Sequence, residues 1–143
     1  MISQTSKIAI KATVYLSSQS AENKKASIDE VAENIQASKH TVAKTLQKLV
    51  KAGIINSVKG PYGGFFIDEK QLKTPIYNLV NVIEGDSNFT RCGMGMTKCS
   101  EKNPCPLHDD YKPIKDLMLK LFKEKRIEDL SEPVLSGIAF LSH

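Results

Sequence analysis

Apolar residues over 6–18 recur at helical spacing. Ile8, Ala12, Tyr15 and Leu16 share one face, and Ile10 and Val14 lie on an adjoining stripe. The polar stretch SQSAENKKAS then predicts a loop. Ser27, followed three residues later by Glu30, predicts a capping box in which each side chain satisfies a free amide at the start of a helix. Ile28, Val31 and Ile35 form the apolar stripe of that short helix. Gln36 and Ala37 leave room for only a brief turn before Ser38, which is placed to cap a third helix over 38–52. Val42, Leu46, Leu49 and Val50 face one side of it, and Gly53 sits where a helix stop belongs. IINSV and FFID, separated by KGPYGG, predict two strands joined by a tight turn. Two helices across a short turn followed by a β-hairpin is the order of a winged helix-turn-helix.

Downstream, TPIYNLVNVIEG predicts another helix, with Pro75 in its first turn and Ile76, Leu79, Val80 and Ile83 on one side. DYKPIKDLMLKLFKEKRIEDL places Ile114, Leu117, Met118, Leu121 and Phe122 at i, i+3, i+4, i+7 and i+8. Pro113 must lie in the first turn of this helix or kink it. A winged helix of about 70 residues has little spare surface for another long helix, so the expected partner of that stripe is the same helix of a second copy. The tail SEPVLSGIAFLSH is apolar, but no pattern places it. The predicted fold is mainly α with a small β-hairpin. Residues 1–74 form the winged helix-turn-helix, and 75–143 carry a cysteine-bearing loop and a long C-terminal dimerisation helix.

Charge distribution adds a partner. The net charge is +4, yet residues 1–60 hold nine lysines against four acids, whereas the rest of the chain holds eleven bases against twelve acids. A basic first half predicts contact with a polyanion, here double-stranded DNA. No apolar run is long enough to span a bilayer, and the interrupted start lacks the apolar core of a secretion signal, so a cytoplasmic protein without a membrane partner is expected.

If the 38–52 helix enters the major groove, its first turns meet base edges. Ser38, Lys39, His40, Thr41 and Lys44 are the candidates there. Lys44 can donate to guanine, and Thr41 can bond a base or touch a thymine methyl. Lys48 and Lys51, further along, are expected at phosphates. In the hairpin, Lys59, Gly60 and Tyr62 are the candidates, because a glycine-rich turn can approach the duplex closely. GPYGG opens a strand rather than a helix, so it fails the context of a phosphate-binding loop. No nucleophile–base pair stands out either, and an enzyme is not expected.

All three cysteines, Cys92, Cys99 and Cys105, fall in RCGMGMTKCSEKNPCPLHDDY, with His108 three residues after the last. An odd number of thiols in a reducing compartment argues against a disulfide framework and for a site. Gaps of six and five residues are too wide for a zinc knuckle, although a Cys₃His zinc site stays open. A loop made supple by Gly93 and Gly95 could wrap an iron–sulfur cluster, with Cys92, Cys99 and Cys105 as three ligands. His108 is the nearest fourth, and Glu84, Asp109 or a group from a second copy are weaker options. Met94 and Met96 are expected to pack. Arg91 and Lys98 could offset thiolate charge. The bland alternative is free, reduced thiols or a redox pair, and a metal-free thiol sensor would use Cys99 and Cys105.

These motifs carry a resemblance. SVKGPYGGFFI resembles the wing signature of the IscR/NsrR family of bacterial winged-helix regulators, and KIAIKATVYL resembles its first helix. The string C-x₆-C-x-E-x-N-P-C-P-L-H-D resembles its cluster loop. The resemblance spans nearly the whole chain in order. It implies a homodimeric transcription regulator, here a repressor, reading a two-fold-related operator. Its DNA affinity would be set by an iron–sulfur cluster, of [2Fe–2S] rather than [4Fe–4S] type, that senses nitric oxide, oxidative stress or iron status. The implied ligands are Cys92, Cys99, Cys105 and, as in the IscR branch, His108. The N-terminal aspartate used in the NsrR branch falls on Lys7 here, which cannot serve. Base-contact positions of IscR match Ser38, Thr41, Lys44 and Lys59, while the acidic residue that tunes its site choice falls on Ala43. A cluster-free, thiol-based regulator is the alternative.

Overall fold

The computed structural model of the protein describes residues 2–143. Helix α1 (Gln4–Ser20) runs through the centre, with α2 (Ile28–Ile35) and α3 (Lys39–Lys51) packed against it. Ala9, Ala12 and Leu16 of α1 meet Val31, Ile35, Val42, Leu46 and Leu49 in one buried cluster. Ser27 caps α2 as expected, accepting from the Glu30 amide at 3.1 Å. The reciprocal half of the capping box is not made. The Glu30 carboxylate instead accepts the Tyr15 hydroxyl at 2.9 Å, tying α2 to α1. Burial, then this bond, pushes the Tyr15 pKa up to about 12.

Helix α3 ends as a Schellman motif. The Gly53 amide reaches the Val50 carbonyl, the Ile54 amide reaches the Leu49 carbonyl, and Gly53 has a φ of +76°. The wing follows as antiparallel β1 (Asn56–Val58) and β2 (Gly64–Phe66), pairing Asn56 with Phe66 and Val58 with Gly64. Ala26 bridges Phe65, fixing the wing to the loop before α2. A Cβ at Gly63 would stand 2.0 Å from the Val58 carbonyl oxygen, so the turn tolerates no side chain there.

Helix α4 (Ile76–Glu84) leads into the one-turn α5 (Ser87–Thr90), the cysteine loop and α6 (His108–Glu124). The predicted 110–130 helix does not run on. It stops at Glu124, and α7 (Ile127–Leu135) turns back onto α1. The cause is a tertiary bridge. The Ile76 amide donates to the Lys125 carbonyl at 2.9 Å, and the Ile127 amide donates to the Thr74 carbonyl at 3.0 Å. Ile127 is thereby fully buried in the same cluster as the helix-turn-helix, as is Leu79 of α4. The tail is thus partly placed: α7 covers α1, while Ile138 and Phe140 stay exposed. Among the described residues, no helix is long and apolar enough to cross a membrane.

Candidate functional site

The cysteine loop and the start of α6 carry the four expected donors. Cys92, Cys105 and His108 are buried, and Cys99 is half-buried. His108 is the first residue of α6, and its amide bonds the Cys105 carbonyl at 3.0 Å, locking the Cys105–His108 spacing into one turn. One close pair forms. Cys99 Sγ is 3.4 Å from His108 Nδ1, while the Met94 amide donates to Cys92 Sγ at 3.4 Å. All three thiols are free. Backbone amides of Met94 and Met96 point at the Cys92 sulfur and, with Cys105 and the Lys115 ammonium, lower its pKa against the opposing effect of burial. Among the described residues, no three His, Cys, Asp or Glu side chains converge on a point where one metal ion could sit.

Helix α6 grips the loop with one face. Tyr111 lies on Gly93 so closely that a Cβ there would come within 2.7 Å of the ring. Lys115 reaches in beside it, only 4% exposed, and donates to the Arg91 carbonyl at 3.3 Å. Phe122 packs edge-on to Phe89 of α5, with ring centroids 5.4 Å apart. The other face is bare: Ile114 is 65% exposed, Leu117 67% and Leu121 48%. The apolar stripe read from the sequence is therefore two stripes, since Met118 and Phe122 turn inward. Lys115 was missed. Its signal was a cation at helical spacing between Tyr111 and Phe122, on the inward face.

The remaining expected residues scatter. Glu84 is not at the cysteines. Its carboxylate accepts from the Ser3 amide at 3.0 Å and from the Ser3 and Ser6 hydroxyls, holding the start of α1. Asp109, Met94, Met96, Arg91 and Lys98 are exposed, so the methionines do not pack within this chain. A crevice of about 530 Å³ between Glu101, Pro104, His108 and Asp109 reaches His108, with none of the cysteines in its lining.

Away from the cysteine loop in sequence, α3 presents an exposed, basic ridge. Ser38, Lys39, His40 and Lys44 are exposed at its start, and Lys48 and Lys51 continue the line. Thr41 is half-buried. Ser38 caps α3, its Oγ accepting the Thr41 amide at 3.2 Å and donating to Thr41 Oγ1 at 2.9 Å. Lys39 pairs with Asp29 at 3.2 Å, both well exposed, so this ion pair contributes little. Two grooves flank the ridge. Thr5 of α1 borders one with His40, Lys44 and Lys48, and the wing borders the other, where Lys59 faces Gln47 and Lys51. Thr5 and Gln47 were not anticipated, because only the fold brings them to this face. Lys59, Gly60 and Tyr62 are exposed, with Tyr62 at 93% on the wing tip.

A family model described as Rrf2, an iron-dependent transcriptional regulator, matches residues 2–133. The chain belongs to the Rrf2 family. A helix-turn-helix transcriptional regulator of Aquifex aeolicus (strain VF5) is 29% identical over 132 residues, covering 91% of this chain and 90% of that protein. Among solved structures, CymR, the global cysteine regulator of B. subtilis, superposes with a TM-score of 0.74 at 19% identity, over 92% of this chain and 96% of that one. IscR of T. potens gives 0.71 at 16% identity, over 97% and 91%. Staphylococcus aureus CymR gives 0.70 at 17% identity, over 91% and 97%. At such identities these structures establish the shared winged-helix architecture and nothing finer. As an Rrf2 protein the chain is a DNA-binding transcriptional regulator and not an enzyme.

Proposed function

We propose that this Rrf2 protein is a homodimeric repressor whose grip on DNA is set by an iron–sulfur cluster at Cys92, Cys99, Cys105 and His108. The observation that carries the reading is Cys99 Sγ at 3.4 Å from His108 Nδ1, with Cys105 one helical turn before that histidine and all three thiols free. A single zinc ion needs four donors around one point. A [2Fe–2S] cluster spreads its protein ligands over two irons, so donors that do not converge on one point suit it better. When bound, the cluster would supply a redox- and nitric-oxide-sensitive centre, open to small molecules through the crevice beside His108.

This chain's residues do the rest. Residues 75–143 hold the centre against the inner face of α6, and its bare outer face (Ile114, Leu117, Leu121) seats the same helix of a second copy. Residues 1–74 meet DNA: Ser38, Lys39, His40, Thr41 and Lys44 at base edges, and Lys59, Gly60 and Tyr62 along the backbone or minor groove. Two reading helices about one duplex turn apart then address a two-fold-related operator. A change at the loop shifts α6, and with it the spacing of those helices.

The test is iron and acid-labile sulfide per monomer, with a visible spectrum, on protein purified without oxygen. Equal iron and sulfide with a charge-transfer band supports the cluster, while stoichiometric zinc without iron contradicts it. A second reading, a cluster-free thiol sensor, is favoured by the lowered pKa of Cys92 beside Cys105. It takes first place if reconstitution yields neither metal.

A further inference from the structure

A buried ammonium is costly unless an anion faces it. Lys115 is 4% exposed, and its one hydrogen-bond acceptor is the neutral carbonyl of Arg91. Among the described residues, no carboxylate forms an ion pair with it. Asp116, its sequence neighbour, is exposed and committed to Lys112 at 2.7 Å. Through the Arg91 carbonyl the ammonium is held one residue from Cys92. The fold therefore sets a buried positive charge, without an ion-pair partner among the described residues, against the loop that holds all three thiols.

We propose that Lys115 is the positioning residue of the cysteine centre: its ammonium compensates the negative charge of the sulfur at Cys92 and fastens the loop to α6 through the Arg91 carbonyl. This rests on the cluster reading above. Three thiolates leave a [2Fe–2S] centre with net negative charge in both oxidation states, and Lys115 stabilises the more negative, reduced state more strongly. Its place on α6 is also informative. Tyr111 and Lys115 face the loop, whereas Ile114 and Leu117 face outward. One helix thus carries the charge partner of the centre on one side and the bare apolar stripe on the other.

The experiment compares wild type, K115Q and K115R after anaerobic reconstitution. K115Q keeps a donor for the Arg91 carbonyl but loses the charge. Three quantities are read: cluster lifetime in air, midpoint potential, and melting temperature with and without cluster. K115Q is expected to lose its cluster several-fold faster and to show a lower midpoint potential, with K115R restoring both. Metal-free K115Q is expected to melt no lower than metal-free wild type, because without the centre the buried charge is a burden. Equal destabilisation of the loaded and metal-free forms would mark Lys115 as merely structural and overturn the proposal. An unchanged potential and lifetime in K115Q would overturn it as well. Wild type that takes up no iron and sulfide brings down the cluster reading and this inference together. A loaded wild type with an indifferent K115Q brings down this inference alone.

Discussion

Glu84 shows how a side chain close to the cysteine loop in sequence can serve the architecture instead of the chemistry. It closes α4 one residue before Gly85, where the chain departs for the cysteine loop, yet its carboxylate is spent on Ser3 and Ser6 at the start of α1. Burial pushes its pKa up, but the bonds from Ser3 and Ser6 outweigh that, and it titrates below its ordinary 4.5. A depressed carboxyl contributes stability that is present above the ordinary value and lost as pH falls through the lowered one. Melting temperature followed from neutral to acid pH should therefore fall more steeply in wild type than in E84Q, and parallel curves would refute this role. At the centre, H108A should keep the fold but alter the visible spectrum and shorten cluster lifetime, since Cys99 would lose its paired donor. An unchanged spectrum would place the fourth ligand elsewhere. On the reading face, Lys59→Ala should weaken binding to all sequences and lower the salt slope by about 1. Thr41→Ala should change base preference, and an equal loss on specific and random DNA would contradict that role for Thr41.

Among the elements, α6 carries the most, because it joins the loop on one side to a naked apolar stripe on the other. Burying a leucine is worth about 1.5–3 kcal/mol. L117E should therefore turn a dimer into a monomer in sedimentation and cost most of the affinity for a two-fold operator, while leaving the melting of the single chain nearly unchanged. A dimer that survives L117E would place the interface elsewhere. The elements differ in how openly the sequence announces them. The helix-turn-helix and wing were legible because caps, stops and period agree there: Ser27, Ser38 and Gly53 each mark a boundary the fold uses. The α6–α7 break was not, because no glycine or proline interrupts Phe122–Ile127. Pairing of Lys125 and Ile127 with Thr74 and Ile76 makes the break, and that pairing joins segments about fifty residues apart. Glu30 deceived for a similar reason: its local partner is Ser27, but Tyr15 reaches it first in space.

Across the whole molecule, α6, which grips the cysteine loop, packs on α4, and α4 shares one core with α3. Leu79 of α4 and Ile127 of α7 lie in the same buried cluster as Val42, Leu46 and Leu49 of α3. Displacement of α6 is therefore expected to reach the reading helices through packed side chains and not through a loose linker. Of the four expected donors, Cys99 and His108 meet at 3.4 Å, a contact legible from the spacing of the loop and the start of α6. The lysine held at the Arg91 carbonyl needed the fold. The measurement that tests the account most directly is operator affinity of the same dimer with its cluster intact and after the cluster is removed without oxygen, at fixed salt. A coupling of about 1–3 kcal/mol, a change of roughly 5–150-fold, is predicted between the two forms. Identical affinities would show that the centre does not govern DNA binding, and the switch would be refuted.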